Sequence, residues 1–380
     1  MAKLGDIFNL QMGKTPSRAN KDYWNNGNNP WVSIADLSGY DKYVGKTKEQ
    51  ITNFAVQESG IKLVPPKTLL MSFKLSVGKT AITNTSVYTN EAIMAFIPTG
   101  KYDIYIDYFF YLFSYKDWFI GSNRAVMGAT LNKTTLNEIE IIVPPISEQR
   151  RIASILDKVT DLITKRRTQL EKLDLLVKSR FVEMFGDINL NNKGWEMQRL
   201  GTLCTIVRGG SPRPIEKYLG GSIPWIKIGD ATEGEDIYLC STKDYIIPEG
   251  IKKSRMVNSG SLIFANCGVS LGFARIITFD GCIHDGWLAL QNIDSKINKI
   301  FLLQCLNQMT EHFRQIAPAG TQPNLNTSIM KSHQQIVPPI KLQNEYVDFL
   351  LKISELKVVI AKSLKKMETL KKALMQKYFG

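Results

Sequence analysis

The stretch from Val143 to Gly186 recurs without a gap from Val337 to Gly380, at an offset of 194 residues. Val143-Pro144-Pro145-Ile146 falls on Val337-Pro338-Pro339-Ile340, Gln149 on Gln343, and Phe185-Gly186 on Phe379-Gly380. A proline pair ahead of a long helical pattern, present twice, restricts the chain to two similar units that each end in a long helix. Prolines suit that place, because they fix φ and bar the helix from extending backwards.

The helical pattern is heptad-like. In the first copy one row is Ile152, Val159, Arg166, Leu173 and Arg180; a second is Ile155, Leu162, Gln169 and Leu176; a third is Leu156, Ile163, Leu170 and Val177. The second copy has Tyr346, Ile353, Ile360, Met367 and Leu374, then Phe349, Leu356, Ser363 and Leu370, then Leu350, Lys357, Leu364 and Lys371. Stripes this wide seek a partner helix. The other copy is one candidate, and folding back on the helix's own globular unit is the alternative. Two similar units joined through one element favour a two-fold axis, hence antiparallel helices. A helix of about 34 residues is roughly 50 Å long, which would make the pair a rigid spacer between the two units.

The globular parts repeat as well. Arg199-Leu200-Gly201 answers Lys3-Leu4-Gly5; Gly209-Gly210-Ser211-Pro212 answers Gly13-Lys14-Thr15-Pro16; Pro224-Trp225 to Asp230 answers Pro30-Trp31 to Asp36. Ser261 to Phe264 answers Thr68 to Met71, and Gly320 to Asn326 answers Gly128 to Asn132. Pro30 to Asp36, Leu69 to Phe73 and Ile139 to Val143 read as strands, Val77 to Ile82 as a glycine turn into a strand, and Asp107 to Phe119 as a helix. The expected fold is α+β, with two tandem α/β domains at 1–145 and 187–339, and long antiparallel helices, a coiled coil, at 146–186 and 340–380. Asp187 to Gln198 serves as the connector.

The chain carries a formal charge of +13. Residues 1–186 hold 24 Lys+Arg against 18 Asp+Glu and the rest 24 against 17, so the charge is shared between the units instead of forming a tail. Such a dispersed positive field suits double-stranded nucleic acid better than a membrane surface. The most apolar short run, Tyr108 to Phe113, is too short to span a bilayer. Five cysteines without a C-x-x-C pair, and three histidines (His284, His312, His333), offer no zinc pattern. Free thiols and the lack of a leader pattern point to the cytoplasm.

Catalytic signatures are missing. Gly78-Lys79-Thr80 resembles only the tail of a phosphate-binding loop, with Phe73 where its first glycine would stand. An amino-methyltransferase needs Asn or Asp before a Pro-Pro pair, and Val143, Val337 and Val64 cannot accept a hydrogen bond through their side chains. The chain is expected to be no enzyme and to carry no cofactor or metal. Candidate DNA contacts lie in the polar, basic loops. They are Lys14, Ser17 and Arg18, with Arg208, Ser211 and Arg213 in the matching loop; then Lys74, Ser76 and Lys79, with Asn266 and Ser270 in the matching place; then Lys227 and Arg275. Main-chain amides, hydroxyls and guanidinium groups of this kind meet phosphates or base edges, and each loop alone reads equally as a surface turn.

Together these residues resemble the specificity subunit of Type I restriction–modification enzymes. That family shows L-G-D-I, G-x-T/S-P, P-W-x-x-I-x-D, G-x-T/S-x-x-x-L-N and a P-P-x-x-E-Q helix start, all duplicated. Leu4 to Ile7, Gly13 to Pro16, Pro30 to Asp36, Gly128 to Asn132 and Pro144 to Gln149 fit, and their second-unit counterparts fit again. Thr202 in place of the Asp of L-G-D, and Leu342 before Gln343, depart from it. The resemblance covers essentially the whole chain. It implies two target recognition domains, each reading half of a bipartite double-stranded DNA site, with the helices setting the spacing. It also implies assembly with two methyltransferase (M) subunits that methylate adenine at N6 and with restriction (R) subunits. An enzyme fragment whose catalytic half lies elsewhere, and a scaffold without a DNA role, are the competing readings.

Overall fold

The structure is a computed structural model that describes residues 1–74, 76–118, 131–231, 237–268, 270–317 and 324–380. It divides into two compact units: unit 1 is 1–168 with 361–380, and unit 2 is 169–360. The two long helices are Ile146–Phe185 and Ile340–Phe379, 40 residues each, or about 60 Å at 1.5 Å per residue. Both begin on the residue after the proline pair. The first stops at Gly186, whose φ of +77° is the left-handed conformation that terminates helices.

In unit 1, β1 (Phe8–Met12), β2 (Asn29–Val32), β3 (Glu49–Ile51), β4 (Leu69–Ser72), β5 (Thr80–Ile82), β6 (Tyr88–Thr89) and β7 (Ile93–Pro98) form two sheets among the described residues. One has the order β1-β7-β4-β5, all antiparallel; the other is β3-β2-β6, with β2 and β6 parallel. The strand expected from Pro30 to Asp36 ends at Val32. Ser33 caps a short helix, Ile34–Gly39, and its hydroxyl and amide trade hydrogen bonds with Asp36 in a capping box. A fully buried helix-side aromatic cluster closes the first sheet. Phe109 and Phe113, on the helix Ile106–Tyr115, meet Phe8 and Phe96 edge-to-face at 4.9–6.2 Å, each such pair adding roughly 0.5–1.5 kcal/mol beyond its burial. That helix stops short of the expected Phe119, which lies outside the described residues.

Unit 2 repeats the plan with more strands: β8 (Thr205–Arg208), β9 (Leu219–Ile226), β10 (Tyr238–Leu239), β11 (Asp244–Ile246), β12 (Arg255–Val257), β13 (Leu262–Ala265), β14 (Ala274–Ile277), β15 (Gly281–Ile283) and β16 (Trp287–Gln291). Their orders are β8-β16-β13-β14-β10 and β11-β9-β15-β12. The helix Lys299–Gln308 takes the place of Ile106–Tyr115. In each unit a short strand near its start, Ala2–Lys3 or Met197–Arg199, pairs antiparallel with one just ahead of the long helix, Glu140–Ile141 or Gln334–Ile336. The latter pairing makes the end of the expected connector part of a strand.

Within each unit the two long helices run antiparallel. In unit 2, Asp174 pairs with Lys357 at 2.6 Å, and further along the first helix Arg180 meets Glu345 at 3.5 Å, earlier in the second. In unit 1, Arg167 pairs with Glu368 at 2.6 Å while Arg151 lies over the Tyr378 ring. Two of the three heptad rows turn inward. Ile152, Leu156, Val159 and Ile163 are buried in unit 1, and Tyr346, Leu350 and Ile360 in unit 2. The remaining row faces solvent, with Leu162, Leu176, Leu356 and Leu370 between 44% and 49% exposed. The inward rows also seal each globular body. Ile152, Ala153 and Leu156 share a core with Phe8 and Phe109, while Phe181, Phe185 and Tyr346 share one with Phe264 and Phe301. Each helix half thus packs on its partner helix and on a body at once.

Candidate nucleic-acid interface

The repeated motifs build the same scaffold twice. Gly13 donates to Ile93 O and Lys14 to Thr89 O; in unit 2, Gly209 donates to Trp287 O and Gly210 to Ile283 O. A Cβ on Gly13 would stand 2.2 Å from Thr89 O, and one on Gly209 would stand 2.2 Å from His284 O. Backbone is pressed on backbone there, which only glycine permits. The hydroxyl two residues on, Thr15 or Ser211, donates to an acid at the strand end: Thr15 to Glu91, and Ser211 to Asp285 at 2.7 Å. Glu91 and Asp285 were not singled out from sequence, although they also stand 194 apart.

The aspartate closing the Pro-Trp motif is a second scaffold element. Asp36 accepts from Ser33 N and, through its other oxygen, from Lys48 N at 3.3 Å. Asp230 accepts from Lys227 N at 2.8 Å, from the Thr242 hydroxyl, and from Lys243 N at 3.3 Å. Each carboxylate pins the backbone one residue ahead of another acid, Glu49 or Asp244. At the helix start, Gln149 and Gln343 are fully buried. Gln149 donates to Asp103 O and Pro144 O and accepts from Tyr105 N; Gln343 donates to Lys296 O and Pro338 O and accepts from Asn298 N, all at 2.7–3.0 Å. The loops Gly128–Asn132 and Gly320–Asn326 fall largely outside the described residues. Their final asparagines cap the helices Lys133–Glu138 and Thr327–Ser332.

The sequence-derived residues sort into two groups. In unit 1, Lys14, Ser17, Arg18, Lys74, Ser76 and Lys79 are exposed. Arg18 lies 3.7 Å over the Trp24 ring and forks onto both oxygens of Glu49; the ammonium of Lys14 reaches Ser59 O. The turn carrying Lys74, Ser76 and Lys79 is tied by the buried Ser72 hydroxyl, which donates to Ser76 O and accepts from Lys79 N; Leu75 lies outside the described residues. In unit 2, Arg208, Ser211, Arg213 and Lys227 gather around His284 and Asp285. Arg208 Nε donates to Asp285 O at 3.0 Å, and Lys227 pairs with Asp244. Burial pulls the His284 pKa down, and the charges of Arg213, Lys227 and Arg208 add to that against Asp285. For Asp285 burial works upward, but the Ser211 hydrogen bond and the charges of His284, Arg208 and Arg213 prevail and hold its carboxyl below the usual range. Arg208, Arg213 and Lys227 all lie within electrostatic reach of one half-buried imidazole, with Asp285 and Asp244 as counter-charges among them.

Asn266, Ser270 and Arg275 are placed differently. Asn266 is fully buried, and its amide donates to Asn324 Oδ1 and Leu325 O. Ser270 and Arg275 are 5% and 9% exposed, and Arg275 donates to Ala274 O. These three shape the loops from beneath. His333 is buried and its pKa is pushed down to about 4, chiefly by that burial. All five cysteines are free, and among the described residues no group of three His, Cys, Asp or Glu could hold a metal ion. No described helix is long and apolar enough to cross a membrane.

The family model of the Type I restriction modification DNA specificity domain matches residues 1–173 and again 192–369. The MjaIX specificity subunit of Methanocaldococcus jannaschii is 27% identical over 404 residues, covering 99% of this chain and 91% of the relative. The EcoR124I/EcoR124II specificity subunit of Escherichia coli is 28% identical over 192 residues, 49% of this chain and 46% of that one. Among solved structures, a chain from a study of the complex assembly and conformational transition of the type I R-M system aligns over 100% of this chain and 96% of its own, with a TM-score of 0.65 and 16% identity. The crystal structure of the S subunit of a Type I system from M. genitalium aligns over 100% and 95%, with a TM-score of 0.61 and 14% identity. The two matched segments follow the two copies of the scaffold, and this chain belongs to the family of Type I restriction–modification specificity subunits.

Proposed function

We propose that the chain is the non-catalytic DNA-specificity subunit of a cytoplasmic Type I complex. Residues 1–145 and 187–339 act as target recognition domains, each reading one half of a bipartite site on double-stranded DNA. The helices 146–186 and 340–380 set the distance between the halves and dock two methyltransferase subunits, which methylate adenine at N6, and restriction subunits. The observation that carries this reading is the duplicated loop of Gly13–Arg18 and Gly209–Arg213. Both copies are fastened by the same glycine and hydroxyl–acid bond, and both hold exposed cations of different arrangement. One scaffold with two different surfaces fits a site of two unlike halves. Lys14, Ser17, Arg18, Lys74, Ser76, Lys79, Arg208, Ser211, Arg213 and Lys227 supply the contacts, with Asn266, Ser270 and Arg275 supporting them. The outward leucine row on the helices, apolar and uncovered, is the surface for the partner subunits.

The test is to map methylated adenines in cells with and without the gene. A bipartite motif that vanishes with the gene supports the reading, and an unchanged map refutes it. Methylation of DNA by the purified chain with S-adenosylmethionine alone would refute the non-catalytic part.

A further inference from the structure

Each unit places a carboxylate opposite the tryptophan of its Pro-Trp strand. Glu49 on β3 is in register with Trp31 on β2, and Asp244 on β11 with Trp225 on β9. Each carboxylate holds a cation, but the cations come from unrelated places. Arg18 arrives from the loop after Gly13, whereas Lys227 arrives from just beyond the tryptophan itself. In both units the cation also lies near a tryptophan ring, 3.7 Å from that of Trp24 for Arg18 and 5.8 Å from that of Trp225 for Lys227. The same pair has been assembled twice by different routes.

Stability does not account for it. Arg18 and Glu49 are 52% and 40% exposed, Lys227 and Asp244 45% and 28%, and exposed ion pairs add roughly 0–1 kcal/mol. Nor do phosphates, which offer only acceptors and repel a carboxylate. A base-pair edge in the major groove is different, because it sets an exocyclic amino donor beside ring or carbonyl acceptors. Guanidinium and ammonium groups keep donors to spare after pairing, and a carboxylate keeps lone pairs, so the pair shows an acceptor next to donors. The position is also preset: Asp36 and Asp230 pin Lys48 N and Lys243 N, one residue ahead of each acid.

We infer that Glu49 with Arg18, and Asp244 with Lys227, are specificity-determining pairs, each reading one base pair through the carboxylate's acceptance of an exocyclic amino group, that of cytosine or of adenine. This rests on the specificity-subunit reading above. The experiment assembles wild type, E49Q, E49D and D244N with the methyltransferase subunits and measures methylation of libraries randomised in one half-site at a time. E49Q should relax one position in one half-site on the order of 10- to 100-fold and leave the other half intact. D244N should do the converse, E49D should recover part of the discrimination, and thermal midpoints should match wild type. The base that is lost tells cytosine from adenine. Unchanged preferences, or an even gain in affinity across all sequences, would overturn the inference. A wild-type complex without any bipartite motif would instead overturn the specificity-subunit reading beneath it.

Discussion

Where globular body meets long helix, the two units solve one packing problem in opposite ways. In unit 1, Lys42 lies between Asp107 on the helix Ile106–Tyr115 and Asp157 on the first long helix, with Tyr43 donating to Asp107 at 2.9 Å and Tyr111 to Asp157 at 2.6 Å. Burial alone would lower the Lys42 pKa, but the two aspartates raise it. In unit 2 the places of the two aspartates are taken by Ile300 and Leu351, which pack against the apolar core. A joint between body and helix can therefore be ionic or apolar so long as it is complete. What does not vary is the glutamine clamp, identical in its three backbone partners in both units. Side-chain filling drifts, while backbone satisfaction at the helix start does not, because an unpaired buried amide or carbonyl has no cheap substitute.

The clamps should give the largest effects. Q149L and Q343L each leave three backbone groups without partners, at 1–3 kcal/mol per group, and each should destabilise its unit by about 4 kcal/mol in urea unfolding. A difference of more than about 1 kcal/mol between them would break the equivalence of the two clamps. The ionic joint comes next. K42M strands the buried carboxylate of Asp107 and the partly exposed one of Asp157 and should cost about 3 kcal/mol. The triple variant K42M/D107I/D157L, which imports the apolar solution of unit 2, should recover most of that loss. If the triple variant were as unstable as the single one, the two joints would not be interchangeable.

Third is an acid sensitivity confined to unit 2. His333 is held neutral, its pKa near 4 against about 6.5 when unfolded. Between those values the unfolded chain binds the extra proton. Stability is therefore full above pH 6.5 and declines as pH falls toward 4, by about 2 kcal/mol at pH 5. The residue in the same place in unit 1 is Ile139; Ile139 O accepts from Leu4 N as His333 O accepts from Leu200 N. H333I should remove most of the slope between pH 7.5 and 5, leaving the part due to His284, whose pKa is also pulled down by burial, and an unchanged slope would place the acid sensitivity elsewhere.

These contrasts mark what a single sequence discloses. The duplication, the helix pair and the Gly13 and Gly209 loops were legible, because a repeat within one chain exposes equivalent positions directly. Glu91 and Asp285 are open to the same comparison, but an isolated acid carries no periodicity to mark it. The Arg18–Glu49 and Lys42–Asp157 pairs join residues 31 and 115 apart, and nothing local announces them. Asn266 looked like a loop residue yet is fully buried, because its backbone is paired on both sides, from Asn266 N to Gly286 O and from Leu325 N to Asn266 O. The heptad rows were visible, but adjacent rows differ by one position on a helix. Which two of three face inward is decided by where the bodies sit.

That last ambiguity supplies the smallest stability effect. Leu162, Leu176, Leu356 and Leu370 are about half exposed, so glutamine at each should change stability by less than about 0.5 kcal/mol. Their inward neighbours Leu156 and Leu350 are 0% and 5% exposed, and alanine there should cost about 3 kcal/mol. The same glutamine changes should nevertheless weaken capture of the methyltransferase subunits, because an uncovered apolar row on a polar helix is worth keeping only if something covers it. Isothermal titration of the quadruple variant with those subunits separates the two roles. Lost binding with an unchanged unfolding midpoint assigns the outer row to assembly, and full binding would return it to plain surface.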